Sequence, residues 1–278
     1  MHTKHSGSLK TKNKKQEQGN SMNINQIYIS DDYDGNVNHL PPRLQKTVQS
    51  VYQNMNPSQH RVYSKEMLRD FINQEYGTEM LKVFDKLKPY AYKADLGRYL
   101  LLYRLGGWYF DISVTMLDQF PAQVDNWDFI TFSEPLHMST TSFACNNAII
   151  YSTPNNIILE QTIYDVCANV AKEYYGYNHL FPTGPICLGR NVARFLEYTR
   201  VHLGLFTPLT PHLPYKNIAF LLNNGQIFAW YKRGGYGGDL SALGATGTNN
   251  YIHMYEQRDI YDKSITLSPE LIHLTRSE

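Results

Sequence analysis

Three charged residues near the middle of the chain have the types and spacing of a binding or catalytic site. Asp95 and Arg98 are three positions apart in a segment whose apolar residues recur at helical intervals, so both side chains lie on one helix face. Asp111 follows in a run of aromatic and β-branched residues that is typical of a buried strand. A carboxylate there is unfavourable unless it is paired or binds a ligand. The pattern therefore predicts either a ligand site or a structural ion pair between Asp95 and Arg98, with Asp111 capping a turn.

The elements that position these residues are a helix and a strand joined by two glycines. The apolar spacing predicts a helix over residues 92–105, and Gly106 stands where a left-handed C-cap is usually needed. The strand is predicted over residues 108–114. Because ligands of open α/β sheets bind beyond the carboxyl ends of the strands, Asp111 is expected to face a cleft.

Residues 91–114 resemble the core of glycosyltransferase family 32, a family of DXD-motif sugar transferases that includes yeast mannosyltransferases and bacterial surface-polysaccharide enzymes. The family pattern is roughly S-D-x-x-R-Y-x-x-L-Y-x-x-G-G-x-Y-x-D-x-D. The chain matches this pattern at Asp95, Arg98, Tyr99, Leu102, Tyr103, Gly106, Gly107, Tyr109 and Asp111. It departs from the pattern at Ala94, where serine is usual, and at Ser113, where the second aspartate is expected.

The resemblance implies the fold and the activity. The expected fold is α/β, a GT-A-like Rossmann-type nucleotide-sugar-binding fold with helical additions. The expected activity is that of a retaining glycosyltransferase that moves a hexose from a nucleotide-diphosphate sugar to a hydroxyl of a glycan, lipid or protein acceptor, as in polysaccharide biosynthesis. The serine at position 113 leaves an alternative open, a catalytically degenerate protein that binds nucleotide sugars without turnover.

The resemblance also implies site residues. The expected catalytic residues are Asp95 and Arg98, which would hold the donor sugar, and Asp111, which would bind the ribose or a metal. The expected substrate-binding residues are Tyr109, Asn147, Thr183, Gly184, Lys232, Arg233 and Tyr251. A divalent metal, Mn²⁺ or Mg²⁺, is expected to bind with the donor diphosphate at Asp111, Ser113 and Asn250. Because the apolar helix face is untouched, Asp95→Asn and Arg98→Ala are expected to abolish transfer while leaving the protein folded.

Two of these expectations have a structural alternative. Asn147 begins a segment that resembles the family's N-x-x-I-x-S/A-x-P motif, but it could equally be a buried amide satisfied by backbone contacts. The glycine-rich run that follows Lys232 and Arg233 is expected to form a lid over the donor, and its alternative is a disordered insertion.

The rest of the chain predicts alternating strands and helices followed by a β-rich C-terminal part. Predicted strands lie at residues 26–30, 61–63 and 127–132, and predicted helices at 41–55, 64–72, 79–87, 155–175 and 189–198. Residues 134–142 are predicted to be a loop, whose His137 is assigned no role. Residues 221–228 predict a hairpin with an Asn-Gly type I′ turn.

Composition limits the domain organisation and the partners. Residues 1–20 are lysine-rich and almost free of apolar side chains, so they predict a disordered basic tail ahead of a single GT-A-like glycosyltransferase domain over residues 21–278, with Met22 as an alternative start. A net charge of +1 argues against a nucleic-acid partner. Three cysteines without C-x-x-C spacing predict a reducing, cytoplasmic location. No apolar run predicts an integral membrane segment.

Overall fold

Parallel strands alternate with helices in the first part of the chain, as predicted. The computed structural model describes residues 22–120, 124–210, 217–232 and 240–268, so the predicted tail, Arg233 and most of the glycine-rich run lie outside the described residues. The elements in order are β1 (Asn23–Ile27), α1 (Pro42–Met55), β2 (Gln59–Tyr63), α2 (Lys65–Lys86), α3 (Tyr90–Leu105) and β3 (Gly107–Phe110). β1 pairs in parallel with both β2 and β3. The domain boundary at residue 21 stays a prediction.

The second part of the chain continues the same sheet. Its elements are β4 (Val114–Met116), β5 (Phe129–Ser133), α4 (Leu136–Ser139), β6 (Cys145–Ser152), α5 (Ile157–Ala171), α6 (Pro185–Phe195), β7 (Val201–Pro208), β8 (Ile218–Leu221), β9 (Ile227–Tyr231) and α7 (Tyr251–Glu256). The strand order is β2-β1-β3-β6-β5-β7-β8-β9-β4. β6 is antiparallel to both β3 and β5, and β5 is parallel to β7. The α/β prediction, with a Rossmann-type parallel unit at its start, is confirmed.

The sheet curls strongly because β3 and β4 are consecutive in sequence but far apart in the strand order. Only the segment from Phe110 to Val114 joins them, and four residue steps span at most about 14 Å. The far edge of the sheet therefore returns towards β3. One face of the curled sheet packs an aromatic cluster that includes Trp108, Phe110 and Phe228, and α2, α3, α5 and α6 cover the other face.

The segment around Asp111 differs from the prediction in one respect that matters for the site. The predicted strand over residues 108–114 is two strands, β3 and β4, separated by a turn. The amide of Val114 donates to the carbonyl of Asp111 across this turn (3.0 Å). Asp111 therefore follows the carboxyl end of a strand, where ligands bind, rather than interrupting it.

Other boundaries were predicted less well because the local pattern is ambiguous. The predicted helix over residues 79–87 is the second part of α2, which a kink at Gly77, with a non-helical φ of 82°, separates from the first part. The predicted helix over residues 189–198 begins earlier, at Pro185, since proline is compatible with the first turn of a helix. The predicted loop over residues 134–142 contains α4.

The hairpin over residues 221–228 is confirmed, but its type I′ turn is wrong. That turn needs positive φ at two central residues, whereas only Gly225 has it (83°) among the turn residues. The amide of Gly225 donates to the carbonyl of Leu222 (2.8 Å), and the amide of Leu222 donates to the carbonyl of Gln226 (2.9 Å), which closes a three-residue loop ending in glycine.

Within the described ranges, none of the helices combines the length and the hydropathy of a membrane span.

Candidate glycosyl-transfer site

A cavity of about 480 Å³ opens at the edge of the sheet where β1, β3, β5 and β7 end. Because β6 runs antiparallel to β3 and β5, its first residues reach the same edge. The volume lies within the range of about 300–1,000 Å³ typical of small-molecule sites. The position is the one at which open α/β sheets bind ligands.

Arg98 joins the two predicted carboxylates at the base of this cavity. Its Nη2 lies 3.1 Å from Asp95 Oδ1 and its Nη1 lies 2.9 Å from Asp111 Oδ1. Nη1 also donates to the carbonyl of Asn147 (2.6 Å), and the guanidinium lies 4.5 Å from the centroid of the Tyr109 ring. The four residues Asp95, Arg98, Asp111 and Asn147 all line the cavity. These four side chains therefore converge on one cavity, while their roles stay predictions.

Both oxygens of Asp95 already have partners. Oδ1 accepts from Asn147 Nδ2 (2.9 Å) in addition to its ion pair with Arg98, and Oδ2 accepts from the Thr183 hydroxyl (2.7 Å). Burial raises the pKa of Asp95, although Arg98 and Thr183 oppose the shift. The structural ion pair between Asp95 and Arg98 is thus present, and Arg98 extends it to Asp111. Asp95 is placed to position its neighbours more than to bind a ligand directly.

Asp111 keeps one carboxylate oxygen available. Its amide donates to the carbonyl of Ala148 (2.7 Å), which holds the residue beside β6. Oδ1 accepts from the Tyr109 hydroxyl (2.8 Å) and contacts Arg98. No described residue donates to Oδ2, and the side chain is 20% exposed. Burial raises the pKa of Tyr109, so its hydroxyl stays protonated and continues to donate to Asp111. Asp111 Oδ2 is therefore the anionic atom that can receive a ligand.

The predicted metal ligands do not converge as a set. Ser113 lines the cavity beside Asp111, and its carbonyl accepts the amide of Lys232 (3.2 Å). Asn250 is not among the cavity-lining residues, because its Oδ1 accepts the amides of Ile252 (3.0 Å) and His253 (3.2 Å) and so caps α7. The described residues contain no cluster of three or more His, Cys, Asp or Glu side chains that could hold an ion. The site fits a metal only as a partial ligand set, with one carboxylate oxygen and one hydroxyl.

The remaining predicted substrate-binding residues divide into two groups. Gly184, Lys232 and Tyr251 line the cavity with Tyr109 and Asn147, whereas Arg233 lies outside the described residues. Thr183 is fully buried behind the cavity wall, where its hydroxyl is used by Asp95. The Thr183 side chain therefore does not line the cavity in this arrangement, and its role in substrate binding stays a prediction.

The cavity residues that were not predicted from the sequence include Glu134 and Tyr231. Glu134 directly follows β5 and is 8% exposed, and its Oε1 accepts from Asn146 Nδ2 (2.8 Å). Burial raises the pKa of Glu134 to about 7, opposed by the hydrogen bond from Asn146. Asp111 was identified as an acid within a predicted buried strand, and Glu134, an acid close to the end of the predicted strand over residues 127–132, offered a related signal. His137, which was assigned no role, also lines the cavity.

Comparison with known proteins supports the sequence resemblance. Residues 41–131, which include Asp95, Arg98, Asp111 and Ser113, match the family model of the glycosyltransferase sugar-binding region containing the DXD motif. The chain is 28% identical over 197 residues to inositol phosphoceramide mannosyltransferase 1 of Schizosaccharomyces pombe, covering 67% of this chain and 54% of that protein. It is 25% identical over 137 residues to an uncharacterized glycosyltransferase of Acanthamoeba polyphaga mimivirus, covering 49% and 51% of the two chains.

The matched region thus spans about half the length of these curated relatives. Among solved structures, the PaToxG glycosyltransferase is similar with a TM-score of 0.45 and 16% identity, covering 63% of this chain and 68% of that one. The sequence match and the cavity coincide, because the matched segment contains Asp95, Arg98 and Asp111, which line the cavity. Residues 41–131 are therefore similar to the glycosyltransferase sugar-binding region containing the DXD motif, and this similarity includes the residues at the base of the cavity.

Proposed function

We propose that the chain is a retaining glycosyltransferase that moves a hexose from a nucleotide-diphosphate sugar to a hydroxyl of a glycan, lipid or protein. The observation that carries the proposal is the available Oδ2 of Asp111, which Arg98 holds at the base of a ligand-sized cavity within the matched segment. One relative is named as a mannosyltransferase of inositol phosphoceramide, which supports a hexose donor and includes a lipid-borne hydroxyl among the acceptors.

The cavity residues divide into positioning and binding roles in this proposal. Asp95 and Arg98 form the rigid base, and Arg98 orients Asp111 through a 2.9 Å ion pair. Asp111 Oδ2 accepts a ribose hydroxyl or contributes to an ion site. Lys232, which lines the opposite part of the cavity wall near Tyr231, supplies positive charge for the diphosphate. Arg233 keeps the same proposed role.

A divalent metal, Mn²⁺ or Mg²⁺, would be held by Asp111 and the Ser113 hydroxyl. Both ions prefer oxygen ligands, and substrate phosphates commonly complete their coordination shell. Because the protein supplies only two ligands, the ion is expected to bind only together with the donor. When bound, the ion supplies neutralisation of the charge that develops on the leaving diphosphate.

In the proposed reaction, the bond between the anomeric carbon and the diphosphate oxygen breaks, and the anomeric carbon bonds to the acceptor oxygen on the same face. The family resemblance implies that the acceptor proton passes to the leaving phosphate oxygen. No side chain is then required as a base. The contribution of this chain is to hold the donor with Asp111 and to keep its charged groups in a buried, oriented arrangement.

A catalytically degenerate nucleotide-sugar-binding protein is the second candidate. It is favoured by the serine at position 113, which removes a formal negative charge from the expected ion site, and by Asp95, whose oxygens are both occupied. This candidate predicts nucleotide binding in the same cavity without turnover.

A reducing, cytoplasmic location and the absence of a nucleic-acid partner belong to the same proposal. Cys145, Cys167 and Cys187 are all free and buried, which suits a reducing compartment. The net charge of +1 gives no strong positive electrostatic potential that would attract a nucleic acid.

The test is hydrolysis of a panel of UDP- and GDP-sugars by the wild type, Asp111→Asn and the matched variant Asp118→Asn, whose carboxylate is exposed and remote from the cavity. We expect the wild type to hydrolyse one donor with retention of anomeric configuration. Asp111→Asn should lose roughly 100-fold or more, and Asp118→Asn should match the wild type. Binding without turnover would select the degenerate candidate, and binding of neither UDP nor GDP would refute both.

A further inference from the structure

The cavity contains a second buried carboxylate that the proposed donor site does not use. Glu134 is 8% exposed and lines the cavity. Its Oε1 accepts from Asn146 (2.8 Å), and no described residue donates to its Oε2. Because Glu134 lines the cavity, its Oε2 can accept a hydrogen bond from a ligand bound there.

The sheet topology places Glu134 beside the donor site but separate from it. β3 and β5 run in the same direction, because β6 is antiparallel to both. Asp111 and Glu134 therefore leave the same sheet edge two strands apart, a distance of about 10 Å. Asn147 and Asn146 are consecutive on β6 and point to opposite faces. Asn147 donates to Asp95 and Asn146 donates to Glu134, so β6 supports both carboxylate groups.

The surroundings of Glu134 are apolar, in contrast to those of Asp111. Ser133 pairs in register with Leu205, so Glu134 stands level with Phe206 on the neighbouring strand. Phe206, Ile218 and the half-buried Met138 also line the cavity. This part of the cavity combines the Glu134 carboxylate and the polar side chains of His137 and Asn146 with an aliphatic and aromatic wall. Such a mixture suits a ligand that carries both hydroxyls and an apolar chain.

We propose that Glu134 and the wall of Met138, Phe206 and Ile218 form the acceptor subsite. Its ligand is a glycoside with an apolar chain: a sugar hydroxyl donates to Glu134, and the apolar chain packs against the wall. The inference rests on the proposed transferase function and names the acceptor class for it. Glu134 accepts from a sugar hydroxyl other than the reacting one and so orients the acceptor, while the proton of the reacting hydroxyl passes to the leaving phosphate oxygen.

The test measures equilibrium binding of methyl and n-octyl α-D-mannopyranoside, below the micelle concentration, to the full chain saturated with UDP or GDP. In the wild type the octyl glycoside should bind at least about tenfold more tightly, the gain for burying roughly two methylenes at about 0.8 kcal/mol each. Met138→Ser should reduce this octyl-to-methyl ratio. Glu134→Gln should weaken octyl glycoside binding roughly 10- to 100-fold, as for loss of a hydrogen bond to a charged group, and by more than it weakens nucleotide binding.

The matched control is Glu197→Gln, an exposed glutamate that does not line the cavity, and it should leave glycoside affinity unchanged. Equal affinity for the two glycosides, binding of neither, or equal effects of Glu134→Gln and Glu197→Gln would overturn the acceptor subsite. If Glu134→Gln fails to fold, the ratio of octyl to methyl glycoside affinity in the wild type still tests the acceptor subsite. Nucleotide binding and donor hydrolysis in the same preparation test the proposed function separately, since they can succeed while the acceptor subsite fails.

Discussion

Replacing Arg98 by alanine is expected to destabilise the protein as well as to inactivate it. The Arg98 side chain is 5% exposed and bridges Asp95 and Asp111 at 3.1 and 2.9 Å. It also donates to the carbonyls of Ala94 (3.1 Å) and Asn147 (2.6 Å). Its removal leaves the carboxylate of Asp95, 11% exposed, without its cation. Breaking such a buried pair by removing one partner typically costs about 3–5 kcal/mol of the free energy of unfolding.

The same helix offers a matched control. Arg104 forms an ion pair with Glu75 (2.5 Å), but these side chains are 56% and 32% exposed. Surface pairs contribute about 0–1 kcal/mol, so Arg104→Ala should change the free energy of unfolding by no more than that. Arg104→Ala and Arg98→Ala remove the same side chain from α3, and the difference between them isolates the effect of burial.

The destabilisation by Arg98→Ala should also depend on pH. Burial raises the pKa of Asp95 and Arg98 opposes this shift, so removing Arg98 raises the pKa further. A raised pKa in the folded state means that stability is lost as pH rises. The difference between wild type and variant should therefore be larger at about pH 8 than at about pH 5, because protonation of Asp95 at lower pH removes the unpaired buried charge.

The assay is urea unfolding of the wild type, Arg98→Ala and Arg104→Ala at both pH values, followed by the fluorescence of the tryptophans, of which Trp108 is buried. A free energy of unfolding for Arg98→Ala no lower than that for Arg104→Ala would contradict the predicted effect of burial. A difference between wild type and Arg98→Ala that is independent of pH, or that grows as the pH falls, would refute the predicted pH dependence. Donor hydrolysis measured where each variant is fully folded then separates catalytic loss from unfolding.

Three further predictions concern single residues. Burial raises the pKa of Glu134 from 4.5 to about 7, so the wild type should lose roughly 3 kcal/mol of stability between about pH 4 and pH 8 as this carboxyl ionises. Glu134→Gln should not show this loss. Urea unfolding across this pH range measures the loss, and parallel stability profiles of the two proteins would contradict the prediction. Ser113→Asp should tighten Mn²⁺ binding without nucleotide by about 1–3 kcal/mol; a Mn²⁺ titration with and without UDP checks this, and unchanged affinity would remove Ser113 from the ion site. Asn250→Ala should lower the free energy of unfolding by about 1 kcal/mol through loss of the α7 cap, and a loss of Mn²⁺ affinity with UDP bound would instead restore its predicted metal role.

The sequence by itself determined the unit around α3 and β3. The interval between Asp95 and Arg98, the glycine after Leu105 and the apolar strand that follows are local patterns, and local patterns specify local structure. The observed helix ends at Leu105, and Asp95 and Arg98 are paired. The alternation of strands and helices before them followed from the same periodicity.

Local pattern and the packed structure lead to different predictions about the stability of one variant. The apolar face of α3 suggested that Arg98→Ala would leave the protein folded, since it removes no apolar contact. The structure buries the polar face too, because Tyr109 of β3, Asp111 of the turn after β3 and Asn147 of β6 pack against it. Whether a charged helix face meets water or another element is decided by what packs on it, and no spacing within the helix specifies that.

Only the tertiary structure decided which distant residues share the cavity. Glu134 joins Asp111 because β5 and β3 run in the same direction with β6 between them, and strand order is a non-local property. Thr183 contacts Asp95 rather than the cavity, and Asn250 caps α7. Each of these polar side chains satisfies its hydrogen bonds with whichever partner the fold brings within reach. The residue types were visible in the sequence, but the partners depend on distances that only the packed chain defines.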